Sequence, residues 1–248
     1  MTTRIPIAAT LLLISTASPA DPIRFTEVTA EAGIESPATW KYGGPTLADL
    51  DGDGRYDLVL LNHHEVPAQL FLSEGDNRFV ESDPVMQWDV HGIAAGDYDR
   101  DGRIDLVVSM GGGNGTNPQP PRLLHNTGDG FEDRTEAAGI ADLGARGRSV
   151  RWMDIDLDGD LDLLQINARQ IPGETGPRNI LFENDGDGTF TYHPSPAFEQ
   201  FEGERLLVTD LNGDRVPDLV TFTPLMVWMG KKDFQYYDAT SEWLKGMD

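Results

Sequence analysis

Apolar residues in this chain fall in short runs, not at helical spacing. "LVLL" (58–61), "LVVSM" (106–110), "LLQI" (163–166) and "LVTF" (219–222) have the length and composition of strands buried on both faces. Each follows an aspartate-rich decapeptide. After three of them comes a second apolar stretch that turns through Gly, Asp or Asn: "LFLSEGDNRF" (70–79), "LLHNTGDGF" (123–131) and "LFENDGDGTF" (181–190). Such residues supply the positive φ of a tight hairpin. In the first unit the pattern predicts strands over 46–48, 58–61, 70–72 and 79–81. Helix is predicted only as a turn at 135–138, ended by Gly139.

The decapeptides are in register. "DLDGDGRYDL" (49–58), "DYDRDGRIDL" (97–106), "DIDLDGDLDL" (154–163) and "DLNGDRVPDL" (210–219) share D-x-[DN]-x-D-x-x-x-D-L at spacings of 48, 57 and 56 residues. A third element, "FEDRTEAAGI" (131–140), is echoed by "FTEVTAEAGI" (25–34) and more loosely by "FQYYDATSEW" (234–243). Units of four short antiparallel strands repeated at this period predict an all-β fold, a β-propeller of four-stranded antiparallel blades with about four blades in this chain.

Charge narrows the partners. The 248 residues carry 42 acidic and 19 basic side chains, net −23. Such a chain neither neutralises a nucleic-acid backbone nor docks on anionic lipid. It suits cations, or simply stays soluble. The N-terminus has one Arg, an apolar run from Ile5 to Ile14 and small residues at Ser18 and Ala20. This predicts a signal peptide over 1–20, cleaved after Ala20, and a secreted or periplasmic protein with no membrane span in the mature chain. There is no cysteine. An exported chain without disulfides needs another tie for its loops.

The decapeptide supplies one. With positions 1, 3, 5, 7 and 9 turned inward, the first loop offers Asp49, Asp51, Asp53 and Asp57 with the backbone carbonyl of Arg55. Its counterparts are Asp97, Asp99, Asp101, Arg103 and Asp105; Asp154, Asp156, Asp158, Asp160 and Asp162; and Asp210, Asn212, Asp214, Val216 and Asp218. All are hard oxygen donors, which suits Ca²⁺ better than Mg²⁺ with its strict octahedron, and predicts three to four Ca²⁺ ions. Gly54, Gly102 and Gly159 hold the sixth position, where the backbone turns. An EF-hand would need Glu at position 12, but that position holds Leu60, Val108, Gln165 and Thr221. The fourth loop is the weakest, with Asn212, Arg215 in place of Gly, and Pro217. The alternative is a set of acidic turns that bind nothing.

These loops, the "NxGDGxF" hairpins (126–131, 184–190) and the "FxxxTxxAGI" segments resemble the FG-GAP/VCBS repeats, the calcium-loop propeller repeats of integrin α-chains and many secreted bacterial proteins, and among them the cartilage-acidic-protein-like branch. The resemblance runs over 23–243. It implies a calcium-binding propeller whose loop aspartates are the ligands. Members commonly have seven blades, so an array of four is incomplete, closed atypically, or completed by self-association.

The opposite rim collects the remaining candidates. Long loops at 62–67, 111–121, 142–148 and 167–179 are where a rigid scaffold usually carries binding. His63 and His64 with Glu65 suggest a metal or acid–base site, though adjacent histidines on an extended segment point apart and loop filler is the plainer reading. Arg146, Arg148, Arg151, Arg169 and Arg178 suit an anionic sugar or local charge balance. Trp40, Trp88, Trp152 and Trp228 read as wedges between blades. No nucleophile or zinc motif appears, so the chain reads as a non-catalytic module for adhesion or for binding an extracellular protein or glycan. The alternative is a carbohydrate-active enzyme, such as a polysaccharide lyase, or a lectin on the same scaffold.

Overall fold

The computed structural model describes residues 24–37, 43–63, 66–87, 89–112, 117–168, 179–200, 204–232 and 234–246. It is all-β, with four four-stranded antiparallel sheets, each a meander in chain order. Blade 1 comprises β1 (Thr46–Ala48), β2 (Asp57–Leu60), β3 (Gln69–Gly75) and β4 (Arg78–Glu81). Blade 2 has β5 (Val90–Gly96), β6 (Asp105–Met110), β7 (Arg122–Asn126) and β8 (Phe131–Asp133). Blade 3 has β9 (Gly147–Met153), β10 (Asp162–Asn167), β11 (Asn179–Asn184) and β12 (Phe190–Tyr192). Blade 4 has β13 (Arg205–Thr209), β14 (Asp218–Phe222), β15 (Met226–Lys231) and β16 (Gln235–Asp238). The predicted propeller blades are therefore present, and in blade 1 the strand bounds agree within a few residues.

The two-residue period of a strand decides the packing. On β6, Leu106, Val108 and Met110 meet Val59, Leu61 and Leu70 of blade 1. Val107 faces the other way, into a cluster with Leu163 and Phe182 of blade 3. On β10 the alternation repeats, with Leu164 and Ile166 meeting Leu219 and Trp228 of blade 4. Every residue of β6 and β10 is buried, which is why their sequences read as continuous rather than alternating.

The repeated "AGI" element ties blades together. After β8, residues 134–140 turn back and Ala138 O accepts the Phe190 N–H of β12 at 2.9 Å. Residues 28–34 make the same turn, and Ala32 O accepts the Phe79 N–H of β4 at 2.8 Å. The 25–34 segment thus sits on blade 1 as 131–140 of blade 2 sits on blade 3. Two short helices, α1 (Pro196–Gln200) and α2 (Thr240–Trp243), lie outside the sequence expectation. α1 opens on Ser-Pro, a helix-start signal, and seats the buried Phe198 against Tyr236.

One aspartate per blade clamps the design. Asp57, Asp105, Asp162 and Asp218, at position 9 of their loops, are at most 1% exposed. One oxygen accepts the N–H of loop position 2: Leu50 at 2.8, Tyr98 at 3.3, Ile155 at 2.9 and Leu211 at 2.8 Å. The other accepts an N–H of the third strand: Ser73 at 2.9, Asn126 at 2.8, Asn184 at 2.9 and Gly230 at 2.7 Å. Two of those third-strand residues then reach the preceding blade. Asn126 Nδ2 donates to Leu50 O at 2.8 Å and Asn184 Nδ2 to Tyr98 O at 2.9 Å. A hydrogen-bonded relay therefore runs through loops 1, 2 and 3. It stops at blade 4, where Gly230 has no side chain to extend it.

Asn126→Ala removes the donor to two carbonyls, Leu50 O and Ile104 O. The expected loss is about 1–3 kcal/mol of stability. Glu132→Ala removes only the exposed ion pair with Arg134 and is expected to cost less than about 0.5 kcal/mol. Urea denaturation of the two variants checks the difference.

Candidate metal centres

The four acidic loops are folded by their own side chains. The position-1 carboxylate accepts the N–H of position 6: Gly54 at 3.0, Gly102 at 3.0, Gly159 at 3.2 and Arg215 at 2.9 Å. Position 3 accepts from position 5 over 3.1, 3.3, 3.2 and 2.8 Å. Position 5 accepts from position 7 over 2.9, 2.9, 2.9 and 2.8 Å. Asp and Asn are the residues that make such turns. Position 6 is left-handed in every loop, and Arg215 accepts φ 74° there without being glycine, at a cost of roughly 1–2 kcal/mol. Position 4 is left-handed as well: Gly52 φ 76°, Arg100 59°, Leu157 68° and Gly213 81°. That second turn is hidden in the sequence because two of its four residues carry large side chains.

In three loops the oxygens converge. Asp49, Asp51 and Asp53 bring ligand atoms within 4.8 Å of one another, as do Asp97, Asp99 and Asp105, and Asp154, Asp156 and Asp162. Positions 1 and 3 recur in each trio. These all-oxygen sets fit a hard divalent cation. The fourth loop forms no such trio among the described residues. There Asn212 Nδ2 donates to Asp214 Oδ2 at 2.9 Å, so the amide ties up a carboxylate instead of adding one. The N–H of Arg215 holds the exposed Asp210 carboxyl below its usual range.

Position 7 does more than the expected carbonyl. The guanidinium of Arg55 pairs with Asp53, and that of Arg103 with Asp101. Their Nε atoms donate to Ser73 O at 2.8 Å and Asn126 O at 2.6 Å, fastening loop to hairpin. In loop 3 the position-7 residue Asp160 is met by Arg100 of loop 2 at 2.5 Å, a link between neighbouring loops; Asp158 only accepts within its own turn. Val216 is buried against the space that Gly230 leaves open. Loop 2 also holds an imidazole that the aspartate pattern did not flag. His125 Nδ1 lies 3.1 Å from Asp105 Oδ1 and 3.4 Å from Asp99 Oδ2. Its signal was the His of "LLHN", where blade 3 has Glu183.

Burying carboxylates beside one another raises their affinity for protons. Burial, then the Asp99 charge, pushes Asp105 up to about 6. Burial, with Asp156 and Asp158 adding to it, pushes Asp162 up to about 7. Burial also raises Asp51 and Asp156, with the neighbouring loop carboxylates acting in the same direction.

At the opposite rim the starts of β5, β9 and β13 line a cleft of about 130 Å³ with Thr46, His91, Arg148, Arg151, Glu204 and Arg205 among its walls. Of the expected arginines, Arg148 and Arg151 reach this cleft. Arg146 lies just before β9, its carbonyl accepting the Ala168 N–H at 2.7 Å. Arg205 joins the cleft unannounced by the sequence. His63 is buried near His91, with ring centroids 5.1 Å apart. Trp152 packs with Tyr98 and Phe190, and Trp228 in the blade 3–4 core, as wedges. His64, Glu65, Arg169, Arg178, Trp40, Trp88 and the 1–20 segment lie outside the described residues. Among the described residues no helix is long and apolar enough to cross a membrane.

Residues 49–108 match the FG-GAP-like repeat family. The resemblance read from the loops is thereby borne out over the first loop, the second loop and the strands between them. Cartilage acidic protein 1 of Homo sapiens is 28% identical over 241 aligned residues, covering 88% of this chain and 33% of that protein. The Mus musculus protein of the same name is 27% identical, covering 88% and 34%. The chain thus spans about a third of the length of these relatives. Among solved structures, an Agrocybe aegerita lectin that recognises non-reducing terminal N-acetylglucosamine aligns with TM-score 0.49 and 19% identity over 82% of this chain and 53% of its own. The Tc holotoxin pore of Photorhabdus luminescens aligns with TM-score 0.38 and 19% identity over 82% and 9%.

A raised folded-state pKa means that the native protein holds a proton the unfolded chain has released. Without metal, Asp162 therefore withdraws stability as pH rises from about 4 through about 7. Melting of the chelated protein is expected to be lower at pH 7.5 than at pH 5.5, and Asp162→Asn is expected to flatten that slope. Thermal scans across this range check it.

Proposed function

We propose that this chain is a secreted, calcium-stabilised propeller module that binds an extracellular protein or glycan and does not catalyse a reaction. The observation that carries the reading is the recurrence of a carboxylate trio in three consecutive blades, with loop positions 1 and 3 in each and position 5 or 9 as the third. Asp49, Asp51, Asp53 and Asp57, with their counterparts and the carbonyls of Arg55, Arg103, Asp160 and Val216, are the proposed ligands. Three loops take Ca²⁺ strongly and the fourth weakly. The ion supplies positive charge where buried aspartates repel. The chain's own residues position the oxygens, through the Asx turns and the position-9 clamp.

The predicted signal peptide, cleaved after Ala20, supports export. For the binding surface we favour the cleft where Arg148, Arg151 and Arg205 stand in an otherwise acidic protein, which suits an anionic sugar or acidic peptide. A carbohydrate-active enzyme is the second reading, because His91 and three arginines converge there. Size argues against it. About 130 Å³ is below the roughly 300–1,000 Å³ of pockets that enclose a ligand. Self-association is also part of the proposal. Blade 4 exposes Leu207, Phe222, Tyr237 and Trp243, apolar side chains that suit cover by a neighbouring copy.

The test is calcium binding and melting of one purified sample. EDTA should lower Tm and Ca²⁺ should restore it better than Mg²⁺, each site adding about 2.7 kcal/mol at 100 times its Kd. Asp51→Ala should remove one bound ion per chain. A Tm indifferent to EDTA and Ca²⁺ would sink the reading. The calcium-loaded sample then goes to a glycan and protein screen and to sedimentation, where self-association predicts a dimer that Leu207→Asp disrupts.

A further inference from the structure

We infer that His63, Asp89 and His91 form a site for a transition-metal cation of the zinc class, on the rim opposite the acidic loops. His63 follows β2, Asp89 immediately precedes β5 and His91 is its second residue, so the site straddles the junction of blades 1 and 2. His63 Nε2 and His91 Nε2 lie 3.3 and 3.2 Å from the same oxygen, Asp89 Oδ1. Donors held at about 2.0–2.1 Å around a tetrahedral zinc are themselves about 3.3 Å apart, so two edges of the site already have the required length. All three ligand atoms lie within 4.8 Å of one another. Two imidazoles and one carboxylate select a borderline cation such as Zn²⁺, Co²⁺ or Ni²⁺ over Ca²⁺ and Mg²⁺.

The surroundings point the same way. A Cβ on Gly111 would stand 2.1 Å from Asp89 Oδ2 and 2.4 Å from His91 Nε2. Gly111 does not have a left-handed φ, so glycine is needed there for the space beside the donors and not for the turn. Its N–H donates to Asp89 O at 2.8 Å and holds that backbone in place. His91 Nδ1 lies 3.0 Å from Gly147 O. A proton on Nδ1 donated to that carbonyl leaves the Nε2 lone pair for a cation, the usual support of a ligating histidine.

Arg148 Nη1 approaches the same Nδ1 at 2.6 Å. A guanidinium only donates, so the two arrangements exclude each other. In the cation-free arrangement Nδ1 accepts from Arg148 and Nε2–H donates to Asp89. In the loaded one Nδ1–H goes to Gly147 O, and Arg148 keeps its bond to that carbonyl (3.1 Å) and its approach to Glu204 (3.7 Å). Loading therefore resets a cation in the wall of the cleft.

The test titrates tag-free full chain with Co²⁺ in saturating Ca²⁺. The expected result is one Co²⁺ per chain with the intense visible absorption of a four-coordinate site, displaced by Zn²⁺. His63→Gln and Asp89→Asn should each weaken it at least about tenfold, while Asp51→Ala and His125→Gln leave it unchanged. Circular dichroism verifies that the variants fold. On the wild type alone, Zn²⁺ should shift the ring signals of His63 and His91 and leave those of His125 and His193. A wild type without the absorption band, a band that survives His63→Gln, or Zn²⁺ shifts confined to His125 would overturn the proposal.

Discussion

The buried aspartate at position 9 is the interaction on which the other features of the blades depend. Its two oxygens join the second residue of the acidic loop to the third strand of the same blade. An unpaired carboxylate at such a depth would cost several kcal/mol. Two backbone N–H groups offset that cost only if loop and strand are already in place. The clamp thus makes the loop and the sheet one cooperative unit. Asn126 and Asn184 extend the unit to the preceding blade.

This clamp has an electrostatic consequence. It fixes one carboxylate beside those at positions 1 and 3, and the raised values at Asp105 and Asp162 record first its burial and then that crowding. A divalent cation relieves it, and so does a proton. The clamp therefore links the fold to pH and, under the proposed function, to calcium. Position 5 is largely relieved already, since Arg55 and Arg103 pair with Asp53 and Asp101. In blade 4 both the asparagine and the carboxylate trio are missing. Blade 4 nonetheless keeps the clamp itself, with Asp218 accepting from Leu211 and Gly230.

Much of this was legible in the sequence because local chemistry repeats. The strand bounds of blade 1 followed from apolar runs and turn residues, and the loop register from its aspartates. What the sequence hid was the partner at the far end of each bond. Asn126 reads as a hairpin residue until the structure places Leu50 O against it. Arg100 and Leu157 conceal a left-handed position, since nothing in an arginine or leucine announces positive φ. His63 was visible beside His64, but its partners Asp89 and His91 come from the next blade. The segment "DVHG" (89–92) carries no motif to advertise them.

The two rims of the array thus have different chemistry. One is a row of hard-oxygen loops held by the clamp, and the other gathers histidine and arginine around a small cleft. The central claim is that the position-9 aspartates lock the loops to the blades. Amide hydrogen exchange tests it most directly, at the N–H groups of Leu50, Tyr98, Ile155 and Leu211. They sit in exposed acidic loops, yet the clamp predicts that they are protected as strongly as strand amides such as Leu163. Exchange as fast as that of their loop neighbours Gly52 and Asp99 would contradict the account.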